Sequence, residues 1–192
     1  LYVTNWGGPI ATDSTKERAG VPWGLVYTNP VTGATAKGTV TVIDPQTGGI
    51  VKEINVGLHP NVAISSADEK FVYISNGNSD EISVINTKSD AVSETIPVGM
   101  FQASFSKEGS SPNGLTLAAD QTMLYVSNGM DNAIAVVSLG RSSSANGKGQ
   151  SKIEGYIPTE AYPAGTALVN GTLIVANPVS YTHLRAHETE AD

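Results

Sequence analysis

The chain has 192 residues, 40% of them apolar and 15% charged, with a formal charge of −7 and no cysteine. Such a chain can bury a core and is not a disordered polymer. Its acidic balance, with no cluster of Lys and Arg, makes nucleic acid and anionic membrane poor partners, the lack of cysteine rules out disulfides and thiolate metal sites, and no apolar run approaches the roughly 18 residues of a bilayer span.

Along the chain, the first element is a β-branched and aromatic run closed by Asn, "LYVTN" at 1–5. A long insertion follows at 6–38, and then "TVTVIDPQTGGIVKEINVG" (39–57) reads as two strands about a Gly-rich turn. The next unit is the clearest. It has strand A "NVAISSA" (61–67), B "FVYIS" (71–75), C "ISVIN" (82–86) and D "AVSETIPV" (91–98). Turn chemistry separates them: Ala-Asp-Glu-Lys, Asn-Gly-Asn-Ser-Asp and Asn-Thr-Lys-Ser-Asp. The B and C strands are rich in Val, Ile and Tyr and apolar on both faces, which suits sheets stacked face to face.

The unit then recurs. "NGLTLAA" (113–119), "LYVSN" (124–128) and "NAIAVVSLG" (132–140) repeat A, B and C, and "GTALVN" (165–170) and "LIVAN" (173–177) repeat A and B. Asn76, Asn128 and Asn177 close their B strands at intervals of about fifty residues, a four-stranded unit at the period of propeller blades. The expectation is an all-β chain, a β-propeller fragment of about three four-stranded antiparallel blades plus part of a fourth, over residues 1–177. A sandwich would not explain four recurrences of one motif.

The runs "LYVTN", "VYISN" and "LYVSN", with "VTVIDPQTGGIVKEINVG" and "ISVINTKSDAVSETIPVG", resemble the YVTN β-propeller repeat family over about residues 1–177. "SNGMDNAIAVV", "GYIPTEAYP" and "VGLHPN" further resemble the YncE-like propeller that precedes a phosphoesterase domain in some bacterial two-domain proteins. The resemblance implies an open, incomplete ring, since the family usually has seven blades. It also implies, as partners, the remaining blades and a C-terminal catalytic domain of the same chain. A periplasmic, secreted or cell-surface setting follows from it, with the leader outside these residues. No part of a phosphoesterase domain is present in this sequence.

After Asn177 the period predicts a turn and a C strand, but the chain reads "PVSYTHLRAHETEAD". This stretch resembles translated read-through of an adaptor or cloning scar. Residues 178–192 are therefore expected to be a non-native or disordered tail. His183 and His187 are four apart and invite a metal reading, yet a zinc site needs three or four supported protein ligands. The expectation is no metal and no cofactor.

In a meander of antiparallel strands, the B–C and D–A loops share one end of the blades. Candidate ligand-binding residues collect there: Trp6, Trp23 and Tyr27 in the insertion, His59 and Asn61 before strand A, Phe101 and Gln102 in the loop 100–112, and Tyr162 in the loop 155–164. Other roles compete at each. Trp6 and Trp23 can give the insertion its own small core, and His59 can be a loop histidine bonded to backbone. Asn5, Asn76, Asn128 and Asn177 read as turn residues that bond their own backbone or adopt the left-handed conformation. Asp80 and Asp131 can be solvated turn residues or cation ligands. Residues 140–152, "GRSSSANGKGQSK", look like a flexible tether at the opposite end.

The A strands hold no charged residue and no histidine, and there is no Gly-x-Ser-x-Gly elbow, P-loop or clustered His/Asp set. These residues read as a non-catalytic binding or scaffold module for an unknown small molecule, glycan or protein. The alternatives are a propeller enzyme of lactonase type, with its site in further blades, and a surface-layer or adhesion protein.

Overall fold

The computed structural model describes residues 1–22, 24–100, 109–140 and 149–178. Two compact units divide the chain, Leu1–Pro97 and Val98–Asp192. The tail from residue 179 onward and most of the 140–152 tether lie outside the described residues.

In the first unit, β1 (Tyr2–Asn5), β4 (Gly38–Ile43) and β5 (Ile50–Val56) form a three-stranded antiparallel sheet in that order. β2 (Arg18–Val21) and β3 (Gly24–Tyr27) make a separate hairpin inside the insertion. A complete four-stranded meander follows: β6 (Pro60–Ser65), β7 (Phe71–Asn76), β8 (Glu81–Asn86) and β9 (Ala91–Pro97). The second unit repeats it with β10 (Pro112–Leu117), β11 (Met123–Asn128), β12 (Ala133–Ser138) and β13 (Lys152–Pro158). It ends on the pair β14 (Gly165–Val169) and β15 (Thr172–Ala176). The sheets thus run B-C-D, A-B-C-D, A-B-C-D and A-B; the third D strand, β13, takes residues 155–158 out of the stretch read from sequence as a D–A loop, because they pair with β12.

The repeat is visible below the level of strands. Each C–D pair carries a register shift at the same place, between Val42 and Ile43, Val84 and Ile85, and Val136 and Val137. Such bulges increase local twist, which outer strands of a blade need. The A–B and B–C turns also share one construction. The amide of the third turn residue bonds back to the carbonyl of the residue before the turn, as from Glu69 to Ser66 (2.9 Å) and from Ser79 to Asn76 (3.1 Å). In the A–B turns that third residue is itself left-handed, Glu69 or Gln121, and in the B–C turns the next one is, Asp80 or Asn132, with φ between 52° and 61°. Asp68 and Asp120 fix the A–B turns by accepting from Lys70 N and Thr122 N.

The core explains why the first two sheets stack. Val40, Val42 and Ile54 from β4 and β5 meet Val72, Ile74 and Ile85 from β7 and β8, with Tyr2, Val56 and Val92 at the margin. Each fully buried Val or Ile stabilises by about 1.5–3 kcal/mol. Tyr2 adds a cross-sheet bond, its hydroxyl donating to Asp90 Oδ1 at 2.5 Å. Burial, then the hydrogen bond to that carboxylate and its charge, push the phenol up to about 12. In the second unit Thr116 Oγ1 donates to Thr166 O at 2.8 Å, joining β10 to β14, and Leu124, Val126 and Ile134 are buried.

The Asn residues that close the B strands depart from their expected role. None of Asn5, Asn76 and Asn128 has positive φ. Asn5 Nδ2 donates to the Thr39 and Thr41 hydroxyls of β4 at 3.2 and 2.8 Å. Asn76 Nδ2 donates to Ser83 Oγ of β8 at 2.8 Å. Asn128 Nδ2 donates to Val98 O at 2.6 Å and to Asp131 Oδ2 at 2.9 Å. A buried amide must find partners, and the neighbouring strand, or the loop beyond it, lies closer to hand than the residue's own turn.

Candidate functional site

Pro60 and Pro112 open the A strands β6 and β10, Pro163 stands two residues before the A strand β14, and the residue before each proline is left-handed. His59 has φ 57°, Ser111 51° and Tyr162 54°. This is unexpected from sequence, because a residue before proline is pushed toward extended conformations and a side chain at positive φ is strained. The surrounding hydrogen bonds hold it. Gly77 N donates to His59 O (2.9 Å) and Asn78 N to Leu58 O (3.1 Å), while Gly129 N donates to Ser111 O (3.2 Å) and Met130 N to Ser110 O (3.1 Å). At the third position Tyr162 N donates to Asn132 Oδ1 at 2.9 Å. The same left-handed geometry at this position in three repeats makes it part of how each D–A loop enters its A strand.

In the first unit this conformation sets the His59 ring edge-on to Trp6, with centroids 3.8 Å apart and planes at 87°. His59 Nδ1 lies 3.4 Å from Asn78 Oδ1. Asn61 joins them: its Nδ2 is 2.9 Å from where a Cβ on Gly77 would sit, and its carbonyl accepts from Thr4 Oγ1 at 3.3 Å. Gly77 has no side chain because the amide and imidazole occupy that space. Trp6 keeps 58% of its surface exposed. It is therefore not a core residue of the insertion, whose buried apolar residues, among those described, are Ala11 and Val26. Gly7 backs it, since a Cβ there would overlap Val26 Cγ1.

The second unit repeats the arrangement with different side chains. The Tyr162 ring covers Gly129, where a Cβ would lie 2.9 Å from the ring and 2.7 Å from Asn113 Nδ2. Position by position, Tyr162 corresponds to His59, Gly129 to Trp6 and to Gly77, and Asn113 to Asn61. The "x-Pro-Asn" and "Asn-Gly" pairs were visible in the sequence. The left-handed turn that brings them together was not.

Other candidates fall elsewhere. The Tyr27 hydroxyl accepts from Thr12 N and Asp13 N at 3.1 Å each, and those bonds hold its pKa below the usual tyrosine value. It clasps the insertion's own chain. Asp131 Oδ2 accepts from Met100 N at 3.2 Å as well as from Asn128, so its carboxylate anchors the start of the D–A loop. Trp23, Phe101 and Gln102 lie outside the described residues. Glu81, which sequence reasoning passed over, is half-buried at this end, with Oε1 2.5 Å from where a Cβ on Gly57 would sit. Burial pushes its carboxyl up. Among the described residues no group of three or more His, Asp or Glu converges as a metal site would require.

Solved structures with this fold are β-propellers. The chain is similar to the periplasmic gluconolactonase of Pseudomonas aeruginosa, with 22% identity and a TM-score of 0.58 over 84% of this chain and 46% of that one. It is similar to the hydrazine synthase of Kuenenia stuttgartiensis, with 24% identity and a TM-score of 0.56 over 76% and 40%. A putative 6-phosphogluconolactonase from Bacteroides uniformis gives 18% identity and a TM-score of 0.57 over 76% and 43%. No family model matches the chain, and no curated protein matches it. At these identities the likeness establishes the fold, a β-propeller fragment, and the chain spans less than half the length of each of these structures.

Proposed function

We propose that this chain is the recognition part of a larger extracytoplasmic β-propeller protein, and that it takes a glycan or similar polar ring on its B–C/D–A end. The observation that carries this reading is the exposed Trp6, set edge-on against His59, whose ring lies beside Asn78 Oδ1. An open indole face packs on the C–H face of a sugar, and amides placed beside it bond the hydroxyls. Exposed aromatic side chains on loops over a paired sheet scaffold are common binding elements.

Further blades complete the propeller in this reading, supported by the share of the similar structures that the chain spans. A separate phosphoesterase domain as the catalytic partner, and a periplasmic or surface location, rest on the repeat resemblance alone. The test is a tryptophan-fluorescence titration of the full chain with a panel of oligosaccharides. Saturable binding is expected, weakened about tenfold in Trp6→Ala, the equivalent of about 1.4 kcal/mol. No response to any saccharide would sink the glycan reading. Hydrolysis of gluconolactone by the completed propeller would favour the lactonase reading instead.

A further inference from the structure

Four Asn–Gly pairs lie among the described residues, at 76–77, 113–114, 128–129 and 170–171; a fifth, at 146–147, lies outside them. Asn–Gly is the pair most open to spontaneous deamidation, because glycine places no side chain in the path of its own nitrogen. We infer that, among the described residues, Asn170 is the deamidation site, converting to aspartate and isoaspartate while the other three described pairs are protected.

The protected pairs are held at both reacting ends or walled in. Asn76 is fully buried, its Nδ2 donates to Ser83 Oγ, and the Gly77 amide donates to His59 O. Asn128 is fully buried, its Nδ2 donates to Val98 O and Asp131 Oδ2, and the Gly129 amide donates to Ser111 O. Asn113 is fixed in β10, and the buried Gly114 has Ser127 Oγ 2.8 Å and Ala164 O 3.1 Å from where its Cβ would sit. Attack at any of these requires local opening of the sheet first.

Asn170 is different. It and Gly171 form the two-residue tip of the β14–β15 hairpin, with φ 49° and 78°, between the paired Val169 and Thr172. Both are exposed, and nothing lies within 4 Å of the Gly171 Cβ position. The tip therefore rotates into the attack geometry without displacing a neighbour.

The step balances without any oxidant or reductant. The Gly171 nitrogen loses its proton and bonds to Asn170 Cγ, the Cγ–Nδ2 bond breaks, and ammonia leaves. Water then opens the succinimide. Opening at Cγ yields aspartate; opening at the α-carbonyl yields isoaspartate, with the main chain routed through Cβ. The product adds one negative charge and, in the isoaspartate form, one backbone methylene to a two-residue turn. That turn then no longer fits the Val169–Thr172 register.

The experiment incubates the full chain in mildly alkaline buffer and follows each Asn–Gly peptide by mass spectrometry over time. A parallel sample in denaturant supplies the unprotected rates. Native protein is expected to modify at Asn170 at least about tenfold faster than at Asn76, Asn113 or Asn128, the factor set by an opening cost of about 1.4 kcal/mol. In denaturant the four rates converge. Isoaspartyl methyltransferase should label the aged native protein, and Asn170→Gln should remove that part of the label. Comparable native rates at the four sites, or an Asn170 that is slow when native and fast in denaturant, would overturn the assignment.

Discussion

His59 shows how one residue serves both fold and surface. Its left-handed backbone offers its carbonyl to Gly77 while its ring reaches Trp6. Glu81 presents the opposite economy, a half-buried carboxylate whose charged form is disfavoured by desolvation. Its folded-state pKa lies above the unfolded value, so between the two the folded state holds more protons. Stability from this group is present below the unfolded pKa and falls as pH rises through the folded one. Glu81→Gln should therefore stabilise the protein at neutral pH and flatten its pH dependence just above the ordinary glutamate range. The gain is well under about 1 kcal/mol, because solvent screens a half-exposed group. Urea unfolding of both proteins at several pH values measures it, and a variant less stable at neutral pH would contradict the desolvation argument.

Among elements, the B–C hairpin of each blade is the unit that the Asn residues secure. Asn76 and Asn128 are both wholly buried at the ends of β7 and β11, but they use different partners, a strand hydroxyl and a loop carbonyl. Asn76→Ala leaves Ser83 Oγ without this donor in a buried setting, which costs about 1–3 kcal/mol. Asn76→Ala with Ser83→Ala should recover part of that loss, since removing both partners is milder than orphaning one. Equilibrium denaturation of the single and double variants measures the coupling, and strictly additive losses would show that the bond contributes nothing. The elements were largely legible beforehand. Period-two alternation and turn residues placed β6 to β12 to within a residue or two, because each strand's pattern is local. The hairpin β2–β3 was not foreseen, since its Arg-Ala-Gly-Val and Gly-Leu-Val-Tyr runs carry no alternation and no repeat partner.

For the whole molecule, the exposed apolar side chains mark faces that a complete propeller would cover. Leu1 and Val3 on the β1 side are 65% and 37% exposed, and Val169 and Ile174 on the β14–β15 pair are 48% and 52% exposed. Apolar sheet faces of this kind drive association. The chain should self-associate at micromolar concentration, and analytical ultracentrifugation reads this directly. Val169→Lys with Ile174→Lys should shift it toward monomer. A concentration-independent monomer in the parent chain would contradict the exposed-face reading.

The amino-acid sequence by itself determined the class, the strand order and the period, because alternation, turn chemistry and repetition are properties of neighbouring residues. It also grouped His59, Asn61 and Trp6 at one end, since a meander dictates which loops share an end. Only the tertiary structure decided what those residues do there. Residue preferences predict an extended backbone before proline and a turn role for the B-strand asparagines. Bonds to segments many residues away override both, turning His59 left-handed onto Trp6 and burying Asn76 against Ser83. Those bonds have no local signature, because a long-range hydrogen bond exists only after the sheets that carry its two ends have packed.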